Sequence, residues 1–320
     1  MEEVAFLQQN ADKWEQFEQL LGDDEADPDR LADLYVELTD DLAYAQTFYP
    51  DSDTTRYLND LTGRAHQEVY QTRSETGRRL RTFWTEEIPA VLATTRTAQL
   101  LSLAIFLLAV GVGTLSAAYD PGFVRLILGD AYVNKTLASI KAGDPMAVYK
   151  EMHQVPMFLG IALNNVKVAF YAFAAGILCS VGTGVVLVQN GIMIGAFHYL
   201  FYEYGLLGRS LLVVYIHGTL EISAIVVAGA AGFVMGNGLL FPGSYPRLTA
   251  FRQSAKKGLK IVVGLVPVFA AAAFLEGFVT RYTQMPMPMS LSIIGASLAF
   301  VVGYFVIYPA LLQHDSLSPD

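Results

Sequence analysis

The chain has 320 residues, 21 Lys+Arg against 30 Asp+Glu, a formal net charge of -9, and 53% hydrophobic residues against 16% charged. An ordinary soluble domain carries about 25% charged residues, so this composition, with a mean hydropathy of +0.38, excludes an ordinary soluble enzyme and calls for a membrane domain. The acidic balance without a basic, aromatic-studded stretch argues against a nucleic-acid partner, and the single cysteine excludes a disulfide framework or a multi-cysteine zinc site.

Residues 1–96 read as a soluble, helical, cytoplasmic domain. The start, Met1-Glu2-Glu3-Val4, lacks the basic and apolar regions of a signal peptide. Apolar residues recur at helical spacing in Phe6, Leu7, Trp14, Phe17, Leu20 and Leu21, then in Leu31, Leu34, Tyr35, Leu38, Leu42 and Ala45. An acidic run at 22–28 separates the two stretches, with Asp27, Pro28 and Asp29 expected to start the second helix. After a break at 49–54 the pattern resumes in Tyr57, Leu61, Ala65, Val69 and Tyr70, and the aromatics read as the core of a small helical bundle. Arg73, Arg78, Arg79, Arg81 and Arg96 lead into the first apolar stretch, a basic flank of the kind retained in the cytoplasm.

The transmembrane domain is expected over 97–312, followed by a short tail at 313–320. The first span, 97–118, is uncharged and about 22 residues long, enough to cross a ~30 Å hydrocarbon core. Residues 119–155 read as short helices on the outer surface of the membrane. From 156 to 202 the chain is apolar for two passes, or for one pass plus a re-entrant piece. It is interrupted at Asn164-Asn165, Lys167, Gly182 to Gly184 and Gln189-Asn190-Gly191, and the position of the bend is open. Cys179 falls in this run and is expected to be a small buried hydrophobe. Further spans are expected near 210–236, 260–280 and 290–312, with a kink at Gly264 and Pro267.

Arg247, Arg252, Lys256, Lys257 and Lys260 make the loop before the fifth span basic and therefore cytoplasmic, whereas 282–290 has no Lys or Arg. An outer segment at 119–155 and an inner loop at 237–260 require an odd number of crossings between them. Three crossings give six spans with both termini on the cytoplasmic side of the bacterial cytoplasmic membrane, whereas a re-entrant piece in place of one pass gives five spans and moves the C-terminus outside.

The spans carry polar residues that cost roughly 2.5–3.5 kcal/mol each at a helix centre if ionised. His217 and Glu221 are four apart and share one helix face. Glu276, Asn164, Asn165 and Lys167 fall at similar depth in the outer half of the bilayer, so the six could meet. One reading is a buried network in which Lys167 neutralises Glu221 or Glu276. The other is a hydrated site for an ion, a lipid headgroup or a partner's loop. His217, Glu221 and Glu276 could hold Zn²⁺, but the His-Glu-x-x-His motif of zinc peptidases is absent, and no cofactor is implied. Glycines are frequent in the spans. Asn190, Gly191 and Gly195, with the small-xxx-small pair Gly232 and Gly236, are expected at helix contacts or bends, within one subunit or between copies in a homo-oligomer.

The set Asn164-Asn165, Gln189-Asn190-Gly191 with Gly195, and His217-Gly-Thr-Leu-Glu221 followed by Ala224 and a glycine-rich helix resembles the stage II sporulation protein M family over about residues 97–312. The front segment, with Ala43-Tyr44-Ala45-Gln46, is similar to the longer helical N-terminal form of relatives that do not form spores. The resemblance implies a polytopic, non-enzymatic scaffold that recruits peptidoglycan-degrading partners at the septal membrane. Two other functions compete on the residues alone: a permease, channel or lipid-handling protein using the polar cluster, and an intramembrane metalloenzyme.

Overall fold

The computed structural model describes residues 3–21, 28–70, 76–150 and 152–315, and all their regular structure is helical. Most of the acidic run (22–27), Arg73 and residues 316–320 lie outside the described residues, as do the side chains of Leu31, Val69, Tyr70, Arg78 and 313–315. Two compact units divide at Leu80 and Arg81, earlier than the expected boundary at 96.

The first unit contains α1 (Glu3–Leu21), α2 (Pro28–Phe48) and α3 (Asp53–Tyr70). The apolar stripes seen in the sequence meet in one core of Phe6, Trp14, Phe17, Leu38, Ala45, Leu58, Leu61 and Ala65, each 5% exposed or less. Polar bonds tie the helices around that core. The Trp14 indole donates to Asp41 Oδ2 at 2.8 Å, Lys13 pairs with the same carboxylate at 2.6 Å, and Thr54 donates to Glu3 at 2.7 Å.

In the second unit, α4 (Thr76–Thr82) passes through a wide π turn (Phe83–Glu87) into α5 (Ile88–Thr94). This stretch belongs with the membrane helices because Ile88 and Leu92 are in their core. Trp84 donates its indole N–H to the Gly264 carbonyl at 3.2 Å, and Tyr304 donates its hydroxyl to the Trp84 carbonyl at 2.7 Å. Glu87 pairs with Lys260 at 2.5 Å. That apolar packing explains why the first unit ends before Arg96.

Among the described residues, six helices are long and apolar enough to cross a membrane: α6 (Arg96–Tyr119), α9 (Gln154–Ala174, prolonged by a tight turn to Ile177), α10 (Val181–Glu203), α11 (Leu207–Leu240), α12 (Arg247–Phe274, continued by a π turn to Thr280) and α13 (Met287–Val302 and onward to Leu312). Between them, α7 (Phe123–Leu128) and α8 (Asp130–Lys141) cover the ends of α6 and α10 through Ala117, Val124, Val133 and Leu200. The last described helix is α14 (Tyr308–Asp315). α11 is the most enclosed span and packs against α6, α9, α10, α12 and α13. At about 1.5 Å per residue its 34 residues exceed a ~30 Å hydrocarbon core, so the helix tilts or emerges from it.

Residues 156–202 therefore supply two spans. Their bend is at 178–180, where Cys179 and Ser180 take positive φ of 50° and 68°. Gln189-Asn190-Gly191 lies inside an unbroken α10 and makes no bend. Cys179 is exposed at the turn, contrary to the burial expected from its apolar surroundings, because the chain reverses there rather than continuing through the core. The basic residues read as a loop occupy the first turns of α12, which begins directly after Pro246. Long cationic side chains on helix ends can reach the interface, so the charge asymmetry is kept without a loop.

Gly191, Gly195, Gly232 and Gly236 make helix contacts within the chain. A Cβ at Gly191 or Gly195 would collide with α6 at Phe106 and Ala109 or at Val110 and Thr114. At Gly232 it would meet Thr183 and the Ala172 carbonyl, and at Gly236 it would meet Ser180 and the Gly176 carbonyl. These faces are filled internally, so Gly232 and Gly236 are not available as a contact between copies. Hydroxyls add interhelical bonds where the backbones approach: Ser102 donates to the Val226 carbonyl at 2.6 Å and Thr183 to the Ala172 carbonyl at 2.7 Å.

Candidate functional site

Helical periodicity on α11 puts His217 and Glu221 one turn apart on the same face. The opposing wall is the end of α12, where the regular helix widens into the π turn Leu275–Thr280. Such one-turn widenings change which side chains face a neighbour and are frequent at functional sites. Here the turn presents both Glu276 and Thr280 to α11. His217 Nε2 lies 3.7 Å from Glu276 Oε2, and donor atoms of His217, Glu221 and Glu276 all fall within 4.8 Å of one another.

The second imidazole nitrogen fixes the ring. Nδ1 of His217 is 3.0 Å from the Thr280 hydroxyl, and that hydroxyl donates to the Leu275 carbonyl at 3.1 Å. A hydroxyl has one proton. With that proton engaged, Thr280 accepts from Nδ1–H, and the Nε2 lone pair of a neutral His217 faces the carboxylates. His217 is 4% exposed, and Tyr149 closes over it edge-on with ring centroids 5.7 Å apart. Burial, with the Glu276 carboxylate adding to it, pushes the Tyr149 phenol well above its ordinary value, so it stays protonated.

His217, Glu221, Glu276 and Tyr149 line a cavity of about 410 Å³ between α9, α10, α11 and the π turn. Asn164 and Asn165 enter it from α9 and Asn190 from α10, with Phe106, Ile161, Phe197 and Ile225 among its apolar walls. Asn164 is exposed and Asn165 is 4% exposed. Five of the six residues expected to meet therefore do. Lys167 does not: it is exposed on α9, stacked 5.5 Å over the Tyr171 ring, and absent from the cavity wall. It cannot serve as the counter-ion of Glu221 or Glu276.

Sequence reasoning did not single out Thr280 or Tyr149, and it placed Asn190 at a contact or bend rather than in the wall. Thr280 follows Glu276 by four positions, as Glu221 follows His217, so helical spacing alone could have flagged it. Tyr149 carries no such signal, because it arrives from the short turn Ala147–Lys150.

A family model described as "Domain of unknown function (DUF8413)" matches residues 4–71, within the first unit. No curated protein and no solved structure matches the chain. The model for stage II sporulation protein M matches residues 102–281, more than half of the chain, and takes in every residue named in the cavity wall. The resemblance carried by Asn164-Asn165, Gln189-Asn190-Gly191 and His217 to Glu221 thus extends through the π turn, and this chain belongs to the stage II sporulation protein M family.

Proposed function

We propose that the protein is a non-enzymatic scaffold of the bacterial cytoplasmic membrane, with its N-terminal unit in the cytoplasm, which docks envelope or membrane partners. The observation that carries this reading is a helical unit with its own core, joined to a six-helix membrane unit. The first unit leaves Val4, Val36 and Phe48 more than half exposed, apolar surface of the kind a partner covers. Basic residues on the first turns of α12 support the inward orientation. The test is reconstitution of the purified full-length protein. A scaffold gives no flux of protons, ions or lipid, and its partner co-purifies only while residues 1–80 are present. Partner retention without that unit overturns the reading.

A second reading, a permease, channel or lipid-handling protein, is favoured by one observation: the polar cavity of about 410 Å³ formed by the spans. Flux in proteoliposomes that disappears with Glu221→Gln would select it over the scaffold.

A further inference from the structure

We propose that His217, Glu221 and Glu276 form a binding site for one divalent transition-metal ion of the zinc class. The inference does not depend on whether the protein docks partners or moves a solute.

The cluster combines three acceptors with no cation beside them among the described residues. The bond from Thr280 turns the Nε2 lone pair of His217 toward Glu276, and the two groups stand 3.7 Å apart with Glu221 completing the set within 4.8 Å. A lone pair facing carboxylates is repulsive unless a proton or a cation lies between them. The nearby cation on α9, Lys167, stacks on Tyr171 instead. Two carboxylates and a neutral imidazole balance a divalent ion, and the nitrogen ligand favours zinc-like metals over magnesium or calcium, which take oxygen.

The spacing fits. Zinc bonds of about 2.0–2.2 Å in tetrahedral geometry place ligand atoms roughly 3.3–3.6 Å apart. His217 and Glu276 are a few tenths of an ångström from that, and small rotations of two carboxylates that are only partly buried would bring in the rest. Nδ1–H held by Thr280 is the outer bond that metal-binding histidines ordinarily make, fixing the tautomer and aiming the ring.

Asn165 points to a ligand independently. It is 4% exposed, lines the same cavity, and its Nδ2 has no hydrogen-bond partner. Its amide is turned toward the Glu221 carboxylate, outside full hydrogen-bond geometry. A buried amide N–H left unpaired costs about 1–3 kcal/mol. A metal held by three protein ligands keeps a fourth position for water, and that water's oxygen gives the Asn165 amide an acceptor. One hydrated ion thereby satisfies both the clustered acceptors and the orphaned donor.

The experiment uses the full-length protein in detergent, stripped of metal and then titrated with Zn²⁺ alone against a chromophoric chelator, and with Co²⁺ alone read by visible absorption. One ion per chain is expected, with a Co²⁺ spectrum of low coordination number. Glu276→Gln and Glu221→Gln should lose stoichiometric binding, whereas Lys167→Ala should bind as the wild type does. Thr280→Val, which removes the positioning bond, should bind roughly 10–100-fold more weakly, and Thr280→Ser should recover. Failure of the wild type to bind either ion stoichiometrically overturns the proposal, even if a variant fails to fold. Unchanged affinity in both glutamine variants overturns it equally.

Discussion

His217 and Thr280 stand 63 positions apart in the chain and 3.0 Å apart in space, joined by a buried hydrogen bond between α11 and the π turn after α12. Because Thr280 donates its hydroxyl hydrogen bond to the Leu275 carbonyl, the pair locks both the imidazole and the widened turn. Thr280→Val keeps the side chain's shape but leaves Nδ1–H unsatisfied, which is expected to cost about 1–3 kcal/mol. Thermal unfolding in detergent should show a lower Tm for Thr280→Val, restored by Thr280→Ser. Equal Tm values for the wild type and the valine variant would dissolve the lock.

The glycines separate by what surrounds them. Gly232→Ala should destabilise the membrane unit by about 1–3 kcal/mol, since the new methyl meets Thr183 and the Ala172 carbonyl. Gly111→Ala and Gly295→Ala have nothing within 4 Å and should stay within about 0.5 kcal/mol of the wild type. The same unfolding assay ranks them, and a damaging Gly111→Ala would contradict the packing of α6.

Glu87 and Lys260 join α5's approach to α12, each about a third exposed. A double-mutant cycle on Glu87→Gln and Lys260→Gln should give a coupling of about 0.2–1 kcal/mol that shrinks as salt is raised. A coupling that salt leaves unchanged would argue against a partly solvated ion pair.

The chain's two tryptophans report one unit each, Trp14 in the first and Trp84 in the second. Phe17 is 1% exposed, and Phe17→Ala should cost the first unit about 3–5 kcal/mol. In a Trp84→Phe background, Trp14 emission should reveal early unfolding of that unit, while the membrane helices keep their helical signal. Val36→Ala, at an exposed site, should leave Trp14 emission unchanged. Simultaneous loss of both units in Phe17→Ala would refute their independence.

Much of this architecture was legible because it depends on periodicity and span length. The stripes of α1 to α3 and the uncharged run of α6 are visible in one pass, and ionisable residues at matching depth gave His217, Glu221 and Glu276 as neighbours before any coordinates. Three features were less accessible. The reversal at Cys179 and Ser180 comes from two residues in left-handed backbone conformation inside an apolar run, whereas the polar Gln189-Asn190-Gly191 looked the better breaker yet stays helical. Lys167 was a plausible counter-ion by depth, but depth does not say which way a helix face turns, and Lys167 points outward. The π turn, which brings Thr280 toward His217, is a backbone detail that residue type does not specify.

The exposed turn at Cys179 gives the chain a native sidedness reporter. With an even number of spans and the proposed orientation, the thiol shares a compartment with the first unit. A membrane-impermeant maleimide should leave intact cells unlabelled and should modify inverted vesicles at a single position. Labelling from outside would reverse the assignment of every loop at once, so one sulfhydryl already in the sequence can decide the topology of all six spans.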